Sequence, residues 1–520
     1  MGDLNHQKKV IELEREIWRY VRKFRSDDLI LSVHNIIKGG VKLPGRVGNQ
    51  RTGALLMPFI AAGICSFAMR FSNPHRNHSA PTINDMAVLA NTVFEYLTAD
   101  PVGLDKEATE TFHSSNPVFM LLRVVGSQFP FDGGSHGFVG RTLLLYRTLI
   151  QEVSGHKEIT TFRFEDKFQK MTGLSVMEFV SCGFASWAFF NSPQTCGLTR
   201  KYFDRARNAG LKIPNDEGVQ LMLDCITADP VKFRDKYDKM KQPDPAFRIY
   251  DFNPLLSYPV LRLWKQGKDT MSNDRIIAPL PDLIPYRVST GIYYEMFNEY
   301  REDFSRFFGH LFEAYVDRLL KASTNCSILS EKKIRETYPE SSGKVPDFCI
   351  VEGETALIIE CKATRFSLKA LGTGAEEAVS ESLKQIKKGI VQLHDFSAAI
   401  KERRTGLETL YSCNVIIPIV ITYEWLYLIN SEFFKKHIFQ ELKSLSISTF
   451  DFHVLSVQEL EALQPHLLNG IAMSSAIESL SSSSFNEVIE KYTTDDGLTY
   501  GDSFLYKYDR EMLECMGVAD

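Results

Sequence analysis

The stretch GKVPDFCIVEGETALIIECKA, residues 343–363, decides how the C-terminal half of this chain reads. Two apolar runs, FCIV and ALII, flank Glu352-Gly353-Glu354, a short polar turn whose glycine tolerates left-handed backbone. That spacing predicts an antiparallel hairpin. Its apolar residues put both strands in a core, yet Asp347 opens the first strand and Glu360 and Lys362 close the second. Burying an unpaired charge costs several kcal/mol, so three charges here need a reason. Side chains alternate faces along a strand, so Ile358, Glu360 and Lys362 share one side while Ile359, Cys361 and Ala363 take the other. In an antiparallel pair the start of one strand lies beside the end of its partner. Asp347 is therefore expected near Glu360 and Lys362.

Two carboxylates and an ammonium at one strand end suit a divalent cation. Mg²⁺ takes one or two carboxylates and completes its shell with water and phosphate oxygens. The lysine is then placed to orient water or to stabilise charge developing on a phosphate. These are the requirements of phosphodiester hydrolysis.

Pro346-Asp347 followed by Glu360-Cys361-Lys362 resembles the signature of the PD-(D/E)XK nucleases, over residues 303–463. The resemblance implies an α/β, restriction-endonuclease-like core in the C-terminal half, ordered helix, three strands, helix, strands. It implies Asp347 and Glu360 as metal ligands, joined by the main-chain carbonyl of Cys361, with Lys362 as the catalytic lysine. Glu313 stands where many members carry a glutamate on the helix before the core. RecB-like members add a glutamine on the helix after the lysine. Gln385 or Gln392 fits that place, although the tyrosine expected after it is missing. Implied further are Mg²⁺, replaceable by Mn²⁺, a nucleic-acid substrate with DNA ahead of RNA, and a homodimer, since a duplex has two strands. Restriction, repair and defence against foreign DNA follow by analogy. Two other readings stand beside this one: a nucleic-acid-binding protein with a nuclease-like fold and no turnover, and an interaction scaffold built on the N-terminal helical domain. In the plainest reading, Glu360 and Lys362 are a solvated ion pair.

Working outward, residues 304–322 carry an amphipathic stripe of Phe304, Phe308, Leu311, Phe312, Tyr315 and Leu319, with Glu313 at its margin. NCSILSE predicts a strand. A second helix carries Val379, Leu383, Ile386, Ile390 and Leu393, after a loop holding Gly372 and Gly374. Residues 414–429 predict buried strand, and FHVLSVQELEAL a strand and a helix. Between Lys362 and Arg404, nine cations face five anions, in a chain whose formal net charge is −5. Arg365, Gln385 and Lys388 are the candidates there for contact with a phosphate backbone. Glu381, Gln385, Lys388 and Gln392 also read as an ordinary solvated helix face.

Residues 1–241 read as a large, mainly helical domain for recognition or regulation, with helices in INDMAVLANTVFEYL, NPVFMLLRVV and GRTLLLYRTLIQEV and a loop at 129–138. Residues 242–295 form a proline-rich connector, 296–465 the nuclease-like domain and 466–520 a helical extension. With 44% hydrophobic and 24% charged residues the composition is that of a globular protein. Nine scattered cysteines with no CxxC pair argue against a zinc site and for reduced thiols in a cytoplasmic setting. The start of the chain lacks a signal-peptide core, and His6 occupies the place where a myristoylation motif needs Ser or Thr. The apolar run at 53–69 contains Pro58 and reads as a buried helix instead of a membrane span. GRVGNQRT lacks the glycine and lysine of a P-loop, and the histidine pair in NPHRNH has no partner motif.

Overall fold

A computed structural model describes residues 2–47, 50–72, 79–99, 138–192, 198, 200–243, 245–263, 276–365, 376–426, 429–442, 447, 450–480 and 485–518. The chain is mixed α/β and 64% helical, with a helical N-terminal part and a C-terminal sheet of five strands. Four N-terminal helices, α1 (Gly2–Val21), α2 (Ser26–Gly39), α3 (Pro58–Phe71) and α4 (Ile83–Leu97), enclose one apolar core. Their starts follow local rules. Pro58 opens α3, where its missing N–H costs no hydrogen bond, and Thr82 with Asp85 forms a capping box on α4. Leu43–Val47 (β1) and Gln50–Ala54 (β2) pair antiparallel, so GRVGNQRT helps build a hairpin and no strand-to-helix phosphate loop.

The run from Ile60 to Met69 in α3 is buried throughout, as a core helix. No single described helix is long and apolar enough to cross a membrane. One bent pair, Lys157–Thr172 with Val176–Asn191 (the latter α5), passes by length and composition together. Phe164, Phe168, Phe179 and Phe190 of that pair are buried in a core shared with the sheet.

The prolines of 242–287 do not make a bare linker. Thr227–Ala228 (β3), Val260–Arg262 (β4) and Ile276–Ile277 (β5) form a small sheet, flanked by α6 (Pro230–Met240), whose N-cap Asp229 precedes Pro230. Ala228, Phe233, Tyr250, Leu255, Leu261 and Leu283 close the core under α1–α4. Two cores therefore run across the boundaries expected at 241 and 465. The proline-rich segment feeds both: Tyr250, Leu255, Leu261 and Leu283 pack with residues 10–99, while Val260, Ile276, Ala278 and Ile284 join the core that the helices of 143–226 and the C-terminal helices share with the sheet. Apolar area is buried wherever faces match, whatever the composition along the chain.

The C-terminal sheet rests on α7 (Thr290–Ser323), which is broken at Arg301, where φ is 46°. Beyond the break, every residue of the stripe from Phe304 to Leu319 is fully buried. The strands are β6 (Ile328–Ser330), β7 (Phe348–Glu352), β8 (Thr355–Lys362), β9 (Val415–Thr422) and β10 (His453–Ser456), in the order β10-β9-β8-β7-β6. β6, β7 and β8 are antiparallel neighbours, and β8, β9 and β10 run parallel. The β7–β8 turn lies at Gly353, with φ 58°. Phe348, Ile350, Leu357 and Ile359 face α7, while Cys349, Ala356 and Ile358 face α8 (Glu376–Lys401) through Leu383, Ile386, Ile390 and Leu393. The sheet is thus covered on both sides. Ser456 and Glu459 form the capping box that starts α9 (Val457–Leu468). The helix expected in NPVFMLLRVV, the loop at 129–138 except Phe138, the NPHRNH histidines and the loop around Gly372 lie outside the described residues.

Candidate metal centre

β7 and β8 pair with Phe348 opposite Ile359, so Asp347, one residue before its strand, stands in register with Glu360. The same arithmetic applies on the other edge. Ser330 pairs with Phe348, which puts Glu331 in register with Asp347, and the Glu331 N–H donates to the Asp347 main-chain carbonyl at 2.8 Å. Three carboxylates from three neighbouring strands thus line up along one end of the sheet. Glu313 joins them from α7. Oxygens of Glu313, Glu331 and Asp347 lie within 4.8 Å of one another, and all three residues are half-buried.

Hydrogen bonds hold the group in place. The Cys361 N–H donates to Asp347 Oδ2 at 2.6 Å. Lys362 Nζ donates to Glu360 Oε1. Gln392 Nε2, from α8, donates to Glu360 Oε2 at 2.6 Å and to the Val345 carbonyl at 2.5 Å. One amide thereby ties the end of β8 to the segment entering β7. Glu360 is 3% exposed and Lys362 20% exposed.

The electrostatics follow from packing like charges in a half-dry place. Burial, then the nearby charge of Asp347, pushes the Glu360 carboxyl up to about 8. Burial, then Asp347 and Glu331, pushes Glu313 up to about 7. Burial raises Asp347 as well, against the pull of the Cys361 N–H and Lys362. Burial is the largest influence on Lys362 and disfavours its charge, but Glu360 and Asp347 outweigh it, and the ammonium is held above its usual value. A cation among these oxygens would relieve the repulsion, and oxygen donors, carboxylates among them, are what a hard divalent ion takes.

The expected constellation is met in part. Asp347, Glu360, Lys362 and Glu313 come together. The carboxylates able to share one ion, however, are Glu313, Glu331 and Asp347, whereas Glu360 is engaged by Lys362 and Gln392. Cys361 contributes its N–H, and its side chain packs toward the core shared with α7. Glu331 went unread because its nearness to Asp347 depends on strand register. Of the two glutamines, Gln392 reaches the site and Gln385 is exposed, as is Lys388. Arg365 is no open phosphate contact. Its guanidinium packs 3.9 Å from the Tyr294 ring centre and 4.5 Å from that of Tyr293, and the charge of half-buried Glu424 acts on it. Charge counting registers the sign of Arg365 but not the aromatic cluster, contributed by a distant helix, that covers it.

No protein-family model, curated protein or solved structure matches the chain.

Proposed function

We propose that the chain is a metal-dependent nuclease of the PD-(D/E)XK type, with a restriction-endonuclease-like core in its C-terminal half and nucleic acid, DNA first, as substrate. The observation that carries this reading is the convergence of Asp347, Glu360 and Lys362 at one end of a mixed sheet, with Glu313 and Glu331 completing a carboxylate cluster. Glu313, Glu331 and Asp347 would hold Mg²⁺ or Mn²⁺. Once bound, such an ion polarises a phosphoryl oxygen and makes a water more acidic. Lys362 keeps its proton and presents positive charge beside the carboxylates, where an attacked phosphate gains negative charge. Glu360, fixed through both oxygens, sets the position of the Lys362 ammonium. Gln392 is a positioning residue, acting through Glu360 and through the backbone that delivers Asp347.

The test is a cleavage panel of supercoiled plasmid, linear duplex, single-stranded DNA and RNA, each with Mg²⁺, Mn²⁺ or EDTA. Metal-dependent cutting of at least one substrate is expected, with a loss of at least about a hundredfold in Lys362→Ala assayed below its own melting temperature. Binding without cutting under every metal would replace this reading with the non-catalytic one. Activity undiminished in Lys362→Ala would remove the lysine from the mechanism.

A further inference from the structure

A second charged site lies in the other half of the molecule. Between α1, α3 and α6 opens a cavity of about 610 Å³ whose lining holds six cations and two carboxylates. The carboxylates are already engaged. Glu14 accepts from Arg70 at 3.1 Å and pairs with Arg248 at 3.5 Å, and Asp238 pairs with Lys241 at 2.9 Å. Arg15, Arg19 and Arg234 have no carboxylate partner among the described residues; Arg234 donates its Nε to the Pro230 carbonyl at 2.9 Å. Arg15, Trp18 and Arg19 are spaced three and four residues apart on α1, so they present one face together. Aromatic rings share the lining with them. Trp18 is 36% exposed, and Arg70 packs 3.6 Å from the Tyr237 ring centre and 4.5 Å from that of Phe71. Arg248 Nε, in the lining, is buried without a hydrogen-bond partner among the described residues.

We propose that this cavity binds a free nucleotide, its phosphates on Arg15, Arg19 and Arg234 and its base against Trp18. Guanidinium groups match phosphate oxygens through paired N–H donors. Arg70 already occupies the rings of Tyr237 and Phe71, whereas Trp18, with Arg22 4.6 Å from its ring centre, keeps an exposed aromatic surface that a base can use and a bare anion cannot. The volume falls in the range of drug-sized or nucleotide-sized ligands, about 300–1,000 Å³. The site is built from residues other than those of the carboxylate cluster and stands whether or not that cluster cleaves nucleic acid.

The experiment titrates N-methylanthraniloyl-ADP, ATP and a cyclic dinucleotide into the full chain by fluorescence and calorimetry, with sodium pyrophosphate and a dT₁₂ strand as comparisons. Saturable binding of at least one nucleotide is expected. Trp18→Ala should weaken it about tenfold, and Arg15→Gln with Arg19→Gln about a hundredfold. All three residues are exposed, so the variants keep their fold, and melting curves check this. No saturable binding up to millimolar nucleotide overturns the proposal. So does pyrophosphate binding as tightly as the nucleotides, an effect of dT₁₂ stronger than any free nucleotide, or affinity untouched by both sets of substitutions.

Discussion

Around the α1–α3–α6 cavity the surplus charge is positive and lies on the exposed guanidinium groups of Arg15, Arg19 and Arg234. At the end of the β6–β7–β8 sheet the surplus is negative and half-buried, and it pushes Glu313 to about 7 and Glu360 to about 8. The difference lies in solvent. Exposed like charges on long side chains keep their hydration and are screened, so they assemble at little cost. Short carboxylates packed between a sheet and two helices lose water and repel one another through a poorer dielectric. The first arrangement waits for an anion at no great expense. The second is destabilising until protons or a cation arrive, and such shifted groups cluster at functional sites.

The sharpest way to break this contrast is Asp347→Asn. Cleavage should fall at least about a thousandfold, because a member of the cation site and its charge go together, and single-turnover assays at saturating Mg²⁺ read the loss. A loss smaller than tenfold would mean that Asp347 is not at the centre. Next comes Glu331→Gln, which removes one repelling carboxylate. Calorimetric Mg²⁺ affinity should drop by about ten- to a hundredfold, while the melting temperature in EDTA rises. Unchanged affinity with unchanged stability would leave Glu331 a bystander.

The pH dependence sharpens the comparison from the side of the protons. The folded values of Glu313 and Glu360 lie above their ordinary carboxyl values, so these groups favour folding in full only below about pH 4.5, and that contribution is lost as pH rises through about 7 and 8. In EDTA the melting temperature should fall across this window. Mg²⁺ affinity should climb by up to about tenfold per pH unit as protons are displaced. A flat Mg²⁺ affinity between about pH 6 and 8 would contradict a buried cluster short of counter-charge. Smallest of all is the contrast between two glutamines on one helix. Gln392→Ala should cost about 1 kcal/mol in urea unfolding, through the lost bonds to Glu360 and Val345, and Gln385→Ala less than about 0.5 kcal/mol.

Much of the C-terminal half was legible in the chain. The hairpin turn at Gly353, the stripe from Phe304 to Leu319 and the stripe from Leu383 to Leu393 all form where periodicity puts them. Asp347, Glu360 and Lys362 meet because hairpin register is local, set by a short turn. Glu331 was not legible. A stretch that includes a short helix and a turn separates it from Asp347, and no turn rule sets the register of β6 against β7. Arg365 misled in the opposite sense, its covering rings lying some seventy residues earlier.

What the residues settled alone is therefore whatever depends on neighbours within a few positions: helix faces, caps, a two-strand register and the charges at its end. The folded chain decided which carboxylates share space, which glutamine turns inward, and that α1, α3 and α6 bring their arginines around one cavity. Those outcomes rest on burial and repulsion between segments far apart in the chain, and such energies exist only once the layers have packed.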